Sequence, residues 1–368
     1  MIDLADSRSD IIGLHTGDPD FTTPRHIIEA AGRAAREGYT HYTHSAGILE
    51  LRKAISRKLL DENGVEANPE TEIAVTAGAF AAIFATIQAT INSGDEVMIL
   101  QPSWPPYSSF VRLAGGVPVP VPLHGPDFNP TPADVEPRIT EKTKMIIINS
   151  PNNPTGSVYS RSCMLDLARL AMEHELLIIS DEAYEKIIFD GNRHFSVASQ
   201  PEFKDSAITV NSFSKTYAMT GWRVGYVVGN EVIITNVKKI HEYMVACSPS
   251  IAQKAAVAAL SGPQASVTEM VEEYRYRRGQ IVAGLNEIDG IQCAAPKGTF
   301  YAFPDFSKLG MTSTKVAEQL LERAQVSSIP GTGFGRAGEG YLRFSFASSR
   351  KNIQEALVRI KSWRSKLG

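Results

Sequence analysis

From "TEIAVT" at residue 71 to the lysine stretch ending at residue 215, short apolar runs alternate with amphipathic helical ones, and this alternation restricts the fold more than any other feature. "TEIAVT" precedes the helical "GAFAAIFATIQATI", and "DEVMIL" precedes a proline-rich turn and "YSSFVRLAG". "KTKMIIINS" leads through "PNNPTG" to "SRSCMLDLARLAMEHE"; "LLIIS" ends at "DEAYE", and "SAITV" ends at "NSFSK". Strand followed by helix, repeated, predicts an α/β fold with a mostly parallel sheet flanked by helices. Such sheets gather ligands at the carboxyl ends of their strands. Polar residues concentrate at those ends here: Asn149 to Gly156, Asp181 to Tyr184, and Ser212 to Lys215.

With 368 residues the chain exceeds one simple core, so two domains are expected. The alternation assigns residues 39–262 to a large α/β domain. After Pro263 a long charged helix, isolated strands and a last helix predict a smaller α+β domain over 263–368. Residues 1–38, which also precede the alternation, are expected to join it.

Composition removes several function classes. Net charge is −3 and no lysine–arginine block stands out, so no nucleic-acid partner is expected. The opening "MIDLADSRSD" is not a secretory signal, and no segment has the length and apolarity of a membrane span. Cys163, Cys247 and Cys293 are far apart, with no C-x-x-C pair, which predicts a reducing, cytoplasmic setting and buried structural thiols. His41 and His44 lack the further ligands a metal needs and read as loop residues; no metal is expected. Gly333, Gly335 and Gly338 match G-x-G-x-x-G, but the strand-like "YLRFSFA" follows where a dinucleotide site needs a helix.

The chemistry centres on Lys215. A lone lysine is usually a solvated surface group. This one ends an apolar run among hydroxyls, and its neutral amine could attack a carbonyl. Asp181 ends another strand, with Tyr184 three residues on; Asn153 lies in "NNPTG"; Arg223 and Ser212 bracket the lysine; Gly78 and Ala79 open a helix, whose free N–H groups favour an anion. Taken singly, Asp181 is a cap or turn residue, "NNPTG" a turn and Arg343, on an alternating strand, a surface charge. Together they supply an amine, a carboxylate, hydrogen-bonding groups and a phosphate cradle. Pyridoxal 5'-phosphate uses all of them: aldehyde on lysine, ring nitrogen on carboxylate, phosphate on arginine, hydroxyls and helix start.

"NSPNNPTG", "SDEAYE" and "SFSKTYAMTGWRVGY" resemble the class I/II, fold-type I aminotransferases of the aspartate aminotransferase superfamily, as do "GDPDFTTP", "YTHYTHSAGILELR" and "YLRFSFA". The similarity spans nearly the whole chain in the family's order. It implies a pyridoxal-phosphate-dependent transaminase that moves an amino group from an L-amino acid to a 2-oxo acid in two half-reactions. Lys215 would hold the cofactor as an imine and shift the proton, Asp181 would pair with the ring nitrogen, and Tyr184 and Asn153 would bond the phenolic oxygen. Trp104 would stack on the ring. Ser212, Ser214, Arg223 and the backbone of Gly78, Ala79 and Phe80 would hold the phosphate. Tyr42 would reach the phosphate of a neighbouring subunit in a homodimer. Arg343 would clamp the α-carboxylate, which the backbone at Gly17 would also approach; Trp104 and Asn153 would border the same substrate. Two departures accompany the likeness: few residues precede "IIGLHTGDPDF", and Phe80 stands where many relatives carry a polar residue, which implies a less charged entrance. A carbon–sulfur β-lyase on the same scaffold would keep nearly every residue named.

Overall fold

The computed structural model describes residue 8 and residues 10–367. In chain order its strands are β1 (Ile12–Gly13), β2 (Ile73–Thr76), β3 (Glu96–Gln101), β4 (Val117–Pro122), β5 (Thr143–Asn149), β6 (Leu177–Asp181), β7 (Ala207–Ser212), β8 (Gly225–Val228), β9 (Tyr301–Ala302), β10 (Val326–Ser327), β11 (Ile329–Pro330) and β12 (Leu342–Ser345). Seven form one sheet in the order β2-β8-β7-β6-β5-β3-β4. β8 runs antiparallel to both neighbours; the other pairs are parallel. The expected mostly parallel α/β sheet is therefore present.

Each central strand is apolar because both faces are covered. Along β5, Ile146 and Ile148 enter one core with Met164, Leu167 and Ala168 of the helix Arg161–Glu173. Met145 and Ile147 enter the opposite core with Ala82, Ile83 and Ile87 of the helix Gly78–Thr90. The sheet edge was not anticipated: "VPVPVP" is β4, parallel to β3. Pro118, Pro120 and Pro122 recur at the sheet's period of two, so all can turn their missing N–H away from β3, which only an edge strand permits.

A second core unites Leu14, Tyr184, Phe300, Tyr301, Leu342, Phe344 and the helices Ala265–Asn286 and Arg350–Ser365. β1 joins it by pairing with β10. The helix Arg25–Arg36 does not follow β1. Its Ile27 and Ala31 pack with Leu51, Ile55, Ala252 and Ala256 beside the large sheet. The unit expected over residues 1–38 is thus divided: β1 packs with the C-terminal core, the following helix with the large one.

Candidate active site

Parallel register brings the predicted residues together. Asn149 pairs with Asp181 across β5 and β6, and Asp181 with Val210 across β6 and β7, so Ser212 lies two residues beyond the same level. The backbone turns outward at each end, and the side chains line a cavity of about 430 Å³. Its walls include Gly17, Ala79, Phe80, Trp104, Asn153, Asp181, Tyr184, Ser212, Ser214, Lys215, Arg223 and Arg343. Gly78 lies behind that wall, and Tyr42 lies elsewhere on this chain, 86% exposed.

Lys215 sits in the single helical turn Phe213–Thr216 that follows β7. Its Nζ donates to the carbonyl of Gly17 at 2.6 Å. Burial is the main reason its pKa falls from 10.5 to about 8; Arg343 and Arg223 push the same way and Asp18 opposes them. Near neutrality a useful fraction of the amine is therefore uncharged, as a nucleophile or proton acceptor requires.

Asp181 is buried, and burial drives its carboxyl above the usual range. Two hydrogen bonds resist: Tyr107 Oη donates to Oδ2 at 2.6 Å, and the Ala183 N–H to Oδ1 at 3.1 Å. Among the described residues no cation touches this carboxylate. Tyr184 Oη and Tyr301 Oη share a hydrogen bond of 3.0 Å, and burial keeps both phenols protonated. Trp104 is braced edge-on by Tyr107, Phe80 and Phe110, at centroid separations of 5.4, 5.6 and 6.2 Å.

Opposite lies the start of the helix Gly78–Thr90, whose N-cap, Ala77, provides no side-chain hydrogen bond. Its free N–H groups and dipole favour an anion. Gly78 has φ +81°, and a Cβ there would lie 2.7 Å from Arg223 Nη2. The missing side chain is what lets the guanidinium reach the helix start. Arg223 donates to the Thr220 carbonyl at 2.8 Å and meets no carboxylate among the described residues. Ser212 Oγ accepts from the Ser214 N–H at 3.1 Å, which holds the Ser212 hydroxyl at the edge of this cradle.

Arg343 enters on β12. Nη1 donates to Asn153 Oδ1 at 3.0 Å and Nη2 to the His15 carbonyl at 2.6 Å; Nε, although buried, has no partner. Gly17 is close by, and a Cβ there would collide with Tyr301 Oη at 2.3 Å.

Asn149, from the polar strand end, lines this cavity too; Tyr107 and Tyr301 also shape it and were not anticipated. Tyr107 is three residues beyond Trp104, on the first turn of the helix Pro106–Leu113, and its ring meets that of Trp104 edge-on. The tyrosine in "TFYAF" gave only a strand signal.

The residues fit pyridoxal phosphate. A buried carboxylate without a cation suits a protonated ring nitrogen. An uncapped helix start beside a carboxylate-free arginine and two hydroxyls suits a phosphate. A partly neutral lysine faces the space between them. The family model described as "Aminotransferase class I and II" matches residues 9–360. This chain belongs to that family. It is 42% identical to an aspartate aminotransferase of Pyrococcus abyssi, over 98% of this chain and 93% of the relative. It is 39% identical to aromatic-amino-acid aminotransferase 2 of Thermococcus litoralis, over 98% and 93%. A solved structure of an aromatic aminotransferase from Pyrococcus horikoshii superposes with a TM-score of 0.96 at 42% identity, covering 100% of this chain and 99% of that one. The protein is thus a pyridoxal-phosphate-dependent aminotransferase of the fold-type I superfamily. These three relatives carry aminotransferase names, and none supports the carbon–sulfur lyase reading.

Proposed function

We propose that this cavity is the transaminating centre and that its preferred amino donor has an aromatic or apolar side chain. The observation that carries the reading is one cleft holding Lys215, with its pKa near 8, and the buried, cation-free Asp181. When bound, the cofactor supplies a carbonyl that condenses with amines and a ring that accepts the electron pair left at the substrate's α-carbon. Asp181 holds the ring nitrogen protonated. Tyr184 and Asn153 bond the phenolic oxygen. Ser212, Ser214, Arg223 and the backbone from Gly78 to Phe80 hold the phosphate. Trp104 covers a ring face. Arg343 fixes the α-carboxylate, with Gly17 allowing close approach, and so presents the α-proton to Lys215 Nζ, which takes it up and later returns it.

Three cations line the cavity, Lys215, Arg223 and Arg343, and each already has a role. Among the described residues that line it, none remains for a side-chain carboxylate, whereas Asp18, Phe80, Trp104 and Tyr301 border the space. That favours the donor class named for the Thermococcus relative over aspartate. A donor panel followed by the cofactor's spectral change in single half-reactions tests it. Faster conversion of L-phenylalanine than of L-aspartate is expected, and the reverse order would refute the preference. Lys215→Ala should abolish turnover; retained activity would end the reading of the site.

The functional unit in this proposal is a homodimer. Tyr42 is 86% and Tyr243 92% exposed, and their two segments touch through the Thr43 N–H, which donates to Cys247 Sγ at 3.4 Å. Covering them would let Tyr42 reach a neighbouring phosphate. A sedimentation mass of one chain would refute it. Three free cysteines, of which burial pushes Cys163 up to about 11 and Cys293 to about 12, suit a reducing, cytoplasmic setting.

A further inference from the structure

The glycine-rich stretch 331–338, set aside as a nucleotide motif, folds as two short 3₁₀ turns. It carries Phe334 beneath the guanidinium of Arg343. Arg343 Cζ lies 4.3 Å from the ring centroid of Tyr301 and 5.0 Å from that of Phe334. Two aromatic rings thus lie against the guanidinium, while Asn153 Oδ1 and the His15 carbonyl each accept from one of its terminal nitrogens. The two hydrogen bonds hold the ends of the fork, and the rings add packing against its body.

The loop is built to hold that ring still. Phe334 is 3% exposed and packs edge-on against Phe303 at 6.2 Å. Its carbonyl accepts from the Ser103 N–H at 2.9 Å, one residue before Trp104. Gly331 and Gly338 approach so closely that a Cβ on Gly331 would lie 1.9 Å from the Gly338 carbonyl oxygen. Gly335 has φ +111°, and its Cβ would lie 2.3 Å from the Gln101 side chain at the end of β3. Gly333 meets nothing nearer than 3.5 Å.

We propose that Phe334, mounted by Gly331, Gly335 and Gly338, is a positioning residue that sets the plane of Arg343 for the substrate's α-carboxylate. This rests on Arg343 being the carboxylate clamp. Cation–ring contacts of this kind alter affinity by roughly threefold to thirtyfold.

The test compares L-phenylalanine with 2-phenylethylamine, which lacks only the carboxylate, in half-reactions of the holoenzyme. Phe334→Leu keeps most of the volume without the ring. It should raise the half-saturating concentration of the amino acid about tenfold, within the range for such contacts, and leave that of the amine and the cofactor dissociation constant unchanged. Gly335→Ala should act in the same direction, and Gly333→Ala should match wild type. Stabilisation of the protein against heat by benzoate should fall in parallel with amino-acid affinity. An unchanged amino-acid response in folded Phe334→Leu would overturn the inference, as would an equal loss for amino acid and amine. Arg343→Leu separates the two levels: if it leaves the preference for amino acid over amine intact, the clamp itself is misassigned and the inference falls with it.

Discussion

The turn Asp181–Glu185 has two faces with opposite electrostatics. Asp181 and Tyr184 face the cavity. Glu182 and Glu185 face away, into a buried network in which every charge is matched. Glu182 accepts from His194 at 2.8 Å, Ser196 at 2.6 Å and Ser180 at 2.9 Å. Glu185 pairs with the buried Lys58 and accepts from Asn63 at 2.8 Å. On the cavity side, three cations and the carboxylate of Asp181 have no oppositely charged partner within hydrogen-bonding distance among the described residues. Charges left unpaired cost stability and are available to a ligand; charges paired at the back hold the turn that presents them. Glu182, Glu185 and His194 have metal-like proximity, their ligand atoms lying within 4.8 Å of one another, yet Lys58 and the serines already satisfy the two carboxylates.

Breaking the rear face should cost the most stability. Burial alone would raise the Glu185 carboxyl, but Lys58 and His194 hold it at about 2. Lys58→Met leaves that carboxylate buried with the Asn63 hydrogen bond and the more distant His194, at an expected cost of about 3–5 kcal/mol. Denaturant unfolding measures it. Because the folded-state pKa is depressed, Glu185's contribution in wild type is fully present above its unfolded value and is lost as pH falls toward 2. Adding Glu185→Leu to Lys58→Met should restore much of the loss. If Lys58→Met unfolds at the wild-type midpoint, the network does not hold the turn.

The cavity face should respond with the opposite sign. The Lys215 amine is lowered from 10.5 to about 8, so folding is penalised while the group is charged. The penalty is complete below pH 8 and fades as pH rises to 10.5. Lys215→Met should therefore stabilise the cofactor-free protein at pH 7, by at most about 3 kcal/mol because the cleft admits solvent. The gain should shrink at pH 10. Equal or lower stability at pH 7 would mean that Lys215 is not held against its solvation.

The same contrast separates what could be read in the chain from what could not. Lys215, Asp181 and Asn153 stand where an apolar run stops, and strand ends are visible as composition. Tyr107 and Tyr301 are aromatic residues inside regular elements, where packing and function leave the same trace; only register and helix phase show that one contacts Asp181 and the other Arg343. The prolines of β4 concealed a strand because edge and turn tolerate the same residue. The helix Arg25–Arg36 was grouped with its neighbours in sequence, although its apolar face was completed by Ala252 and Ala256, more than two hundred residues away.

The smallest effect compares one hydroxyl on each face. Tyr107→Phe removes the donor to Asp181 Oδ2, one of only two hydrogen bonds that counter the burial of this carboxylate. Asp181 should then hold its proton more readily and grip the ring nitrogen less. A hydrogen bond to a charged group contributes roughly 1.5–3 kcal/mol, and part of the loss is recovered once the cationic ring arrives. Cofactor affinity should therefore fall about tenfold, measured by quenching of protein fluorescence. Ser196→Ala removes a donor of similar length from Glu182, but two others remain and the residue faces away from the cavity. It should leave cofactor affinity unchanged while lowering stability by about 1 kcal/mol. If the two variants weaken the cofactor equally, the turn transmits strain between its faces, and the division between a binding face and a supporting face fails.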